Sequence, residues 1–270
     1  MDTHIFQNKD FSAAYQKGMF LVSEKVNHLV LSYLEEKKGK PFELAIDAGC
    51  GTGISTRMLA PYFQKVIGID MSESQLSEAR KMTSQKNIHY QISKAEKMPV
   101  DDSSVDLLHS ALAAHWFDPE MFAQETARVL KPGGCLALQS ASVVFEIRYN
   151  DCTEKLSRIF SEAIKKLLEN DKHVADILKS QYEDIFRAIP FLDKKRITDI
   201  QETFLVTVPD IMDLIRAVCL YHTFLEQDKE KAVEFLQDLE KSFFSVLGES
   251  ASDTRLELNV KFFCLLASKA

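Results

Sequence analysis

Apolar and polar positions in the first half of the chain alternate between two periods. Five short apolar runs have the length and composition of buried strands: residues 43–47, 65–69, 88–92, 105–110 and 134–140. Three segments between them repeat apolar residues at helical spacing: about 53–62, 72–83 and 118–129. Ser72 is a good N-cap for the second of these helices, with Gln75 as its capping-box partner. The alternation predicts an α/β fold with parallel strands and right-handed crossovers.

The flanking segments carry a different pattern. Residues 10–36, 141–190 and 210–247 repeat apolar residues at helical spacing, whereas two late segments are rich in Val, Ile, Phe and Thr, as strands are. We therefore predict a single domain over residues 1–270. It comprises an N-terminal helical cover, a core, a helical lid in two pieces and two closing strands: residues 1–38, 42–140, 141–190 with 209–247, and 196–208 with 254–268.

The composition supports a large packed core and disfavours several classes of function. Apolar residues make up 46% of the 270 residues. The net charge of −7 disfavours a free-standing binder of nucleic acid, because phosphates attract basic surfaces. Five scattered cysteines without a Cys-x-x-Cys pair indicate neither a disulfide framework nor a zinc site, so we predict no bound metal.

We expect neither a targeting segment nor a membrane span. No apolar run reaches the ~20 residues of a membrane span, and the first ten residues lack the apolar centre of a signal peptide. We therefore expect a reducing, cytoplasmic location, no membrane partner and a monomer.

A glycine-rich turn follows the first predicted strand. Asp47 ends the strand, and three glycines occupy alternate positions after it: Gly49, Gly51 and Gly53. Glycines let the backbone turn tightly and approach a ligand closely. The helix that follows presents free backbone amides at its start. The turn therefore suits a ligand, although it could also be a tight connection in any α/β domain.

An acid at the end of the second strand favours a binding role for this turn. Asp70 lies near the ~20-residue spacing at which nucleotide-binding folds place a carboxylate on ribose hydroxyls. The dinucleotide fingerprint G-x-G-x-x-G is not met, because its third glycine position is Ile54, and no P-loop follows. The pattern predicts a nucleoside ligand without a pyrophosphate. An NAD-dependent oxidoreductase is the weaker alternative.

Five motifs follow one another in the order found in class I S-adenosylmethionine (SAM)-dependent methyltransferases: residues 47–53, 68–70, 93–99, 105–108 and 128–134. The chain resembles that family, with its methyltransferase type 11 domain, over about residues 42–140. The resemblance implies a Rossmann-like, seven-stranded, mostly parallel sheet with an antiparallel last strand, helices on both faces and a helical lid. Residues 114–118, Ala-His-Trp-Phe-Asp, are similar to the branch that contains trans-aconitate methyltransferase.

The resemblance implies that SAM binds at the carboxyl ends of the strands and leaves as S-adenosylhomocysteine. The cofactor-binding residues that it implies are Tyr15, Asp47, Gly49, Cys50, Gly51, Gly53, Asp70, Met71, Ala95, Glu96, Ser110, Ala111 and His115. Asp47 would meet the methionine ammonium, Asp70 the ribose hydroxyls and Glu96 the adenine amine. Structural roles stay open: a turn cap for Asp47, a core aromatic for Tyr15 and a surface acid for Glu96.

Three residues are candidate catalytic contacts with the methyl acceptor. The resemblance implies that His115 lines the cofactor and acceptor region beside Trp116, for which a core position is equally open. Tyr221 and His222 lie on a helix of the predicted lid, where contact with the acceptor and a surface position are both open. His109 lies within a strand, and we expect it to be structural.

The chemistry of methyl transfer leaves the acceptor open. Displacement from a sulfonium needs mainly orientation and exclusion of water, and a carboxylate acceptor needs no base. An amine or phenol would lose its proton to His115 or His222. We expect a small-molecule acceptor and, from the trans-aconitate-like resemblance, a carboxylate as one form of it. An amine, thiol, hydroxyl or macromolecular acceptor is the alternative, as is a SAM-binding protein without catalytic activity.

Overall fold

A mixed β-sheet organises the residues that the computed structural model describes, 4–248 and 252–270. Its strands are β1 (Phe42–Ala48), β2 (Phe63–Asp70), β3 (Ile88–Ile92), β4 (Val105–Ala111), β5 (Leu130–Arg148), β6 (Asp193–Val206) and β7 (Leu256–Ser268). Their order across the seven-stranded sheet is β3-β2-β1-β4-β5-β7-β6. β1 to β5 run parallel, whereas β7 is antiparallel to both β5 and β6. The predicted Rossmann-like sheet with an antiparallel last strand is confirmed.

Helices connect the strands and cover both faces of the sheet. In chain order they are α1 (Lys9–Gly18), α2 (Glu24–Lys38), α3 (Ile54–Leu59), α4 (Glu73–Met82), α5 (Pro119–Val129), α6 (Thr153–Leu168), α7 (Lys172–Ser180), α8 (Glu183–Ala188), α9 (Val208–Ala217), α10 (Cys219–Gln227) and α11 (Lys229–Leu247). Side-chain caps fix several helix starts. Ser72 accepts a hydrogen bond from the backbone N–H of Gln75 at α4, and Thr207 forms a reciprocal capping box with Asp210 at α9.

Alternate residues of the central strands enter two apolar cores on opposite faces of the sheet. In β1, Ala45 joins the core that contains Phe160 of α6, whereas its neighbour Ile46 joins the core that contains Phe122 of α5. All four side chains are fully buried. Because both faces are covered, the central strands read as nearly continuous apolar runs.

The order of the strands reverses beside β1, which pairs with β2 on one side and with β4 on the other. The glycine-rich turn after β1 therefore meets the loops that follow β2 and β4 at the carboxyl edge of the sheet. Ligands of open α/β sheets bind at such a switch point. The sheet thus brings the sequence motifs to one place.

The helical lid begins later than the sequence predicts. Residues 141–148 continue β5. Ala141 and residues 145–148 pair with β7, with a register shift between them, and β6 begins at Asp193. Val143, Phe145 and Ile147 alternate there with more polar or exposed neighbours, which is the period of a strand. The segment expected to be helical is therefore strand up to the end of β5, and α6 is the first helix of the lid.

Only part of the predicted N-terminal cover lies at the carboxyl edge. α2 packs against β5, whereas α1 packs against α9 and α4. The short 3₁₀ turn His4–Gln7 contacts α1 and α4. Among the described helices, none is both long and apolar enough to cross a bilayer.

Candidate active site

A cavity opens at the carboxyl edge, where the loops after β1, β2 and β4 meet. It encloses about 830 Å³, counting its open mouth. Eight residues predicted to bind the cofactor line it: Tyr15, Gly49, Gly51, Asp70, Met71, Ala95, Glu96 and Ala111. We call it the loop cavity. The fold therefore gathers motifs that are far apart in the sequence onto one surface.

Asp70 fixes the glycine-rich turn against the end of β2. Its carboxylate accepts hydrogen bonds from the backbone N–H of Gly51 at 2.9 Å and of Ser72 at 2.8 Å. Burial raises the pKa of Asp70, and these two donors oppose that rise by stabilising the charged form. Since a carboxylate has about four acceptor sites, Asp70 can still accept hydrogen bonds from a ligand in the loop cavity.

Two glycines of the turn serve different purposes. At Gly49, where φ is +66°, a Cβ would lie 2.5 Å from the Cβ of Ala113, so the turn passes directly against the loop after β4. At Gly53, where φ is +75°, a Cβ would lie 2.2 Å from the hydroxyl of Tyr90. Gly53 is not among the residues that line the loop cavity. The structure therefore gives Gly53 a packing role where the sequence predicted a cofactor contact.

A smaller recess adjoins the loop cavity beside α3, and Asp47 and Cys50 line it. Asp47 has two buried partners: its Oδ1 lies 2.9 Å from Nδ1 of His109, and its Oδ2 accepts a hydrogen bond from the Thr56 hydroxyl at 2.6 Å. The other ring nitrogen of His109 lies 2.8 Å from the side-chain amide of Gln139. His109 is thus held on both sides, as expected of a structural histidine. Burial raises the pKa of the Cys50 thiol, which stays un-ionised.

Two buried polar groups near the loop cavity have no hydrogen-bond partner among the described residues. One is Oε1 of Gln75, whose side chain lines the cavity although the sequence predicted a capping box with Ser72. The other is the hydroxyl of Ser110. Ser110 is fully buried in β4 and is not among the residues that line the loop cavity or the recess. Sequence reasoning therefore missed Gln75 as a lining residue.

The N-terminal turn closes one side of the loop cavity, which Phe6 and Gln7 line. The Ser72 hydroxyl donates a hydrogen bond to the carbonyl of Phe6, and the Ser74 hydroxyl donates to that of Gln7 at 2.6 Å. The Gln7 amide donates to the carbonyl of Met71 at 3.0 Å. These bonds tie the turn to the loop after β2. No sequence motif marks it, so sequence reasoning missed these residues as well.

A second cavity adjoins the first, and we call it the apolar cavity. It encloses about 870 Å³, counting its mouth, between residues 140–145 of β5, α6, α7 and the junction of α9 and α10. Four residues line both cavities: Phe6, Tyr15, Leu112 and Trp116. None of the described residues that line the apolar cavity is Asp, Glu, Lys or Arg. Two ligands can therefore lie side by side, the second in apolar surroundings.

His115 lines the apolar cavity and not the loop cavity. Its Nδ1 lies 3.3 Å from the hydroxyl of Tyr182, and the residue is 8% exposed. Burial lowers the pKa of His115 to about 4, so its imidazole is neutral at pH 7. Trp116, the next residue, borders both cavities.

Comparison with known proteins identifies the domain. Residues 46–138, which run from β1 into β5, match the family profile described as a methyltransferase domain. The chain carries a class I methyltransferase domain. S-adenosylmethionine is the cofactor of this class, in agreement with the prediction from the sequence.

The chain is similar to proteins from several organisms. A Dictyostelium discoideum protein described as a methyltransferase is 27% identical over 261 residues, which cover 96% of this chain and 93% of that protein. A Saccharomyces cerevisiae protein described as an S-adenosylmethionine-dependent methyltransferase is 34% identical over 138 residues, and the match spans about half of each chain, 49% and 46%. A type II methyltransferase structure from Anaeromyxobacter dehalogenans shares the fold, with a TM-score of 0.70 at 19% identity over 89% of this chain and 95% of that one. The branch suggested by residues 114–118 stays a prediction.

The structure places Tyr221 and His222 away from the lining of both cavities. Tyr221 is 5% exposed and belongs to the apolar core. Nε2 of His222 lies 2.9 Å from the backbone carbonyl of Arg216, and its ring packs edge-on against Phe11, with ring centroids 4.6 Å apart. Residues 217–220, directly before them, do line the apolar cavity. The sequence thus located the right segment but not the face that borders the cavity.

Tyr221→Phe and His222→Ala should leave acceptor turnover within about twofold of the wild type, because neither side chain lines a cavity. Leu220→Trp is the matched positive control, since Leu220 lines the apolar cavity and a larger side chain there should slow turnover. Steady-state release of S-adenosylhomocysteine measures all three variants. A loss of tenfold or more in His222→Ala would return that residue to the acceptor site.

Proposed function

We propose that this chain transfers the methyl group of SAM, bound in the loop cavity, to a small molecule bound in the apolar cavity. The observation that carries the proposal is that the two cavities adjoin and share four lining residues: Phe6, Tyr15, Leu112 and Trp116. Methyl transfer requires two ligands held in line and in contact. Adjoining cavities at the switch point of a methyltransferase fold meet that requirement.

In this proposal the loop cavity holds the nucleoside part of the cofactor. Asp70 accepts hydrogen bonds from the ribose hydroxyls, and Met71 packs against the adenine. Ala95 and Glu96 border the adenine amine. Oε1 of Glu96 already accepts a hydrogen bond from the backbone N–H of Asp118 at 2.9 Å, so its second oxygen is the one left for the ligand.

The recess beside α3 takes the methionine part of the cofactor. The buried Asp47 carboxylate there attracts the ammonium group, and its bonds to His109 and Thr56 hold it in position. Gly49 and Ala111 line both the recess and the loop cavity, so they border the passage between the two parts of the cofactor. The sulfonium would then lie beside Tyr15, where the recess and both cavities meet.

The chain orients the two ligands and excludes water from them. Bound SAM would provide a methyl group on a positively charged sulfur. Once the methyl group is transferred, the cofactor is a neutral thioether, S-adenosylhomocysteine. Tyr15 and Trp116 border both cavities and orient the two ligands toward each other. Phe6 closes over both and excludes water.

Binding of SAM and S-adenosylhomocysteine tests the proposal. We expect micromolar-range affinity and, at a ligand concentration ten times Kd, a gain of about 1.4 kcal/mol in the free energy of unfolding by linkage. NAD should not bind, because Ile54 stands where dinucleotide folds need their third glycine. Calorimetry and thermal unfolding measure both effects. Binding of NAD without binding of SAM would overturn the proposal.

A further inference from the structure

The apolar cavity offers polar atoms but no ionised side chain. Among its described lining residues, the polar groups are those of Tyr15, His115, Trp116, Ser140, Ser142 and Cys219. Burial raises the pKa of the Tyr15 hydroxyl, and it raises that of the Cys219 thiol to about 12, so both groups are uncharged at pH 7. Hydroxyls and an indole N–H can orient a polar group, but they cannot neutralise a full charge.

His115 does not supply the missing charge. Its neighbours are the hydroxyl of Tyr182, 3.3 Å away, and the ring of Trp116, whose centroid lies 5.1 Å from its own. Neither is a carboxylate that would stabilise an imidazolium. Asp171 favours and His173 opposes the charged form of His115, and burial outweighs both. A carboxylate in this cavity would therefore be buried without a cationic side chain beside it, and when S-adenosylhomocysteine, which carries no sulfonium, occupies the loop cavity, that burial costs several kcal/mol.

We propose that the methyl acceptor is an uncharged, predominantly apolar molecule whose nucleophile is a hydroxyl or thiol, and that the apolar cavity rejects carboxylates and ammonium ions. This inference rests on the proposed function and names its substrate class. It departs from the carboxylate expected from the resemblance of residues 114–118, because the cavity that adjoins the cofactor site lacks a cation among its described lining residues.

A residue that lines the cavity can take the proton that such an acceptor must lose. A lone pair of the acceptor oxygen or sulfur forms the bond to the methyl carbon, while the carbon–sulfur bond of SAM breaks and leaves its electron pair on sulfur. As the sulfonium loses its positive charge, the acceptor proton passes to the neutral imidazole of His115, so the net charge of the site does not change. If His115 carries its hydrogen on Nδ1, that N–H donates to Tyr182 and Nε2 is free to accept the proton. The proton passes to water when the products leave.

A matched series of probes tests the class. The probes are para-tert-butylphenol, para-tert-butylbenzyl mercaptan, para-tert-butylbenzoate and para-tert-butylbenzylamine, which share an apolar part and differ in their head groups. At pH 7 the first two are neutral and the others are charged. Calorimetry measures their binding to the chain saturated with S-adenosylhomocysteine, and release of S-adenosylhomocysteine measures turnover with SAM.

We expect the phenol and the mercaptan to bind and to be methylated, and the charged probes to bind at least about tenfold more weakly. Equal or tighter binding of the benzoate or the amine contradicts the inference, as does the absence of binding by all four. Either outcome leaves the proposed function standing if S-adenosylhomocysteine binds, and failure of that binding removes the proposed function instead.

Lysine substitutions at two adjacent positions of β5 test whether the missing cation sets the preference of the cavity. Val143 lines the apolar cavity, whereas Val144 does not and is 63% exposed. Val143→Lys should shift the preference at least about tenfold toward the benzoate, because it adds the missing cation. Val144→Lys, with the same change in charge, should leave the preference unchanged. An unchanged preference in a Val143→Lys chain that still binds S-adenosylhomocysteine normally would contradict the inference.

Discussion

Replacing Asp70 with alanine is expected to weaken SAM binding by about 30- to 150-fold, equivalent to ~2–3 kcal/mol. The change removes the proposed acceptor of both ribose hydroxyls. It also releases the backbone N–H groups of Gly51 and Ser72, which now donate to this carboxylate at 2.9 and 2.8 Å. Calorimetric titration of SAM into the folded variant measures the loss.

Two further variants test whether the loss of SAM affinity is specific to Asp70 and whether it depends on the charge of that residue. Asp101→Ala removes an exposed acid that does not line the loop cavity, and it should leave SAM affinity unchanged. Asp70→Asn keeps the shape of the side chain but loses its charge, so an intermediate loss is expected. If Asp70→Ala folds and still binds SAM with wild-type affinity, Asp70 does not contact the ribose.

Gly53→Ala is expected to lower the free energy of unfolding by about 2–4 kcal/mol. Part of the loss comes from placing a side chain at a φ of +75°, and part from the contact of its Cβ with the Tyr90 hydroxyl, only 2.2 Å away. The Tyr90 hydroxyl also lies 2.9 Å from that of Thr83, which restrains the ring. Urea unfolding measures the change.

A double-mutant cycle separates the two parts of this loss. In a Tyr90→Ala background the contact is absent, so Gly53→Ala should cost only the strain of its φ value, about 1 kcal/mol. Equal costs of Gly53→Ala in both backgrounds would show that Tyr90 yields without loss, and the packing role of Gly53 would then be wrong.

The part of the fold that the sequence predicted best is the alternating core. Buried strands of a parallel sheet carry apolar side chains on both faces, so β1, β2 and β4 stand out as continuous runs. The position of Asp70 follows from the same local rule, because a polar residue that ends such a strand must lie at the carboxyl edge. Eight predicted residues consequently line one cavity.

The parts that the sequence did not predict depend on contacts between distant segments. The helical patterns within residues 141–190 predict a lid that begins at residue 141, whereas the pairing of Ala141 and residues 145–148 with β7 extends β5 to Arg148. The sequence predicts that the side chain of Gln75 completes a capping box with Ser72, whereas in the structure it lines the loop cavity. The absence of charged side chains among the described residues that line the apolar cavity depends on how β5, α6, α7 and α9 pack. No local sequence pattern predicts that packing.

The position of the N-terminal turn has a consequence for how molecules reach the site. Phe6 borders both cavities, and its ring packs edge-on against those of Phe11 and Trp116, with centroids 5.3 Å from each. Its attachment to the loop after β2 consists of hydrogen bonds made by Ser72, Ser74 and Gln7. Displacing this turn would widen the mouths of both cavities at once. Spent cofactor and methylated product would then share one enlarged opening.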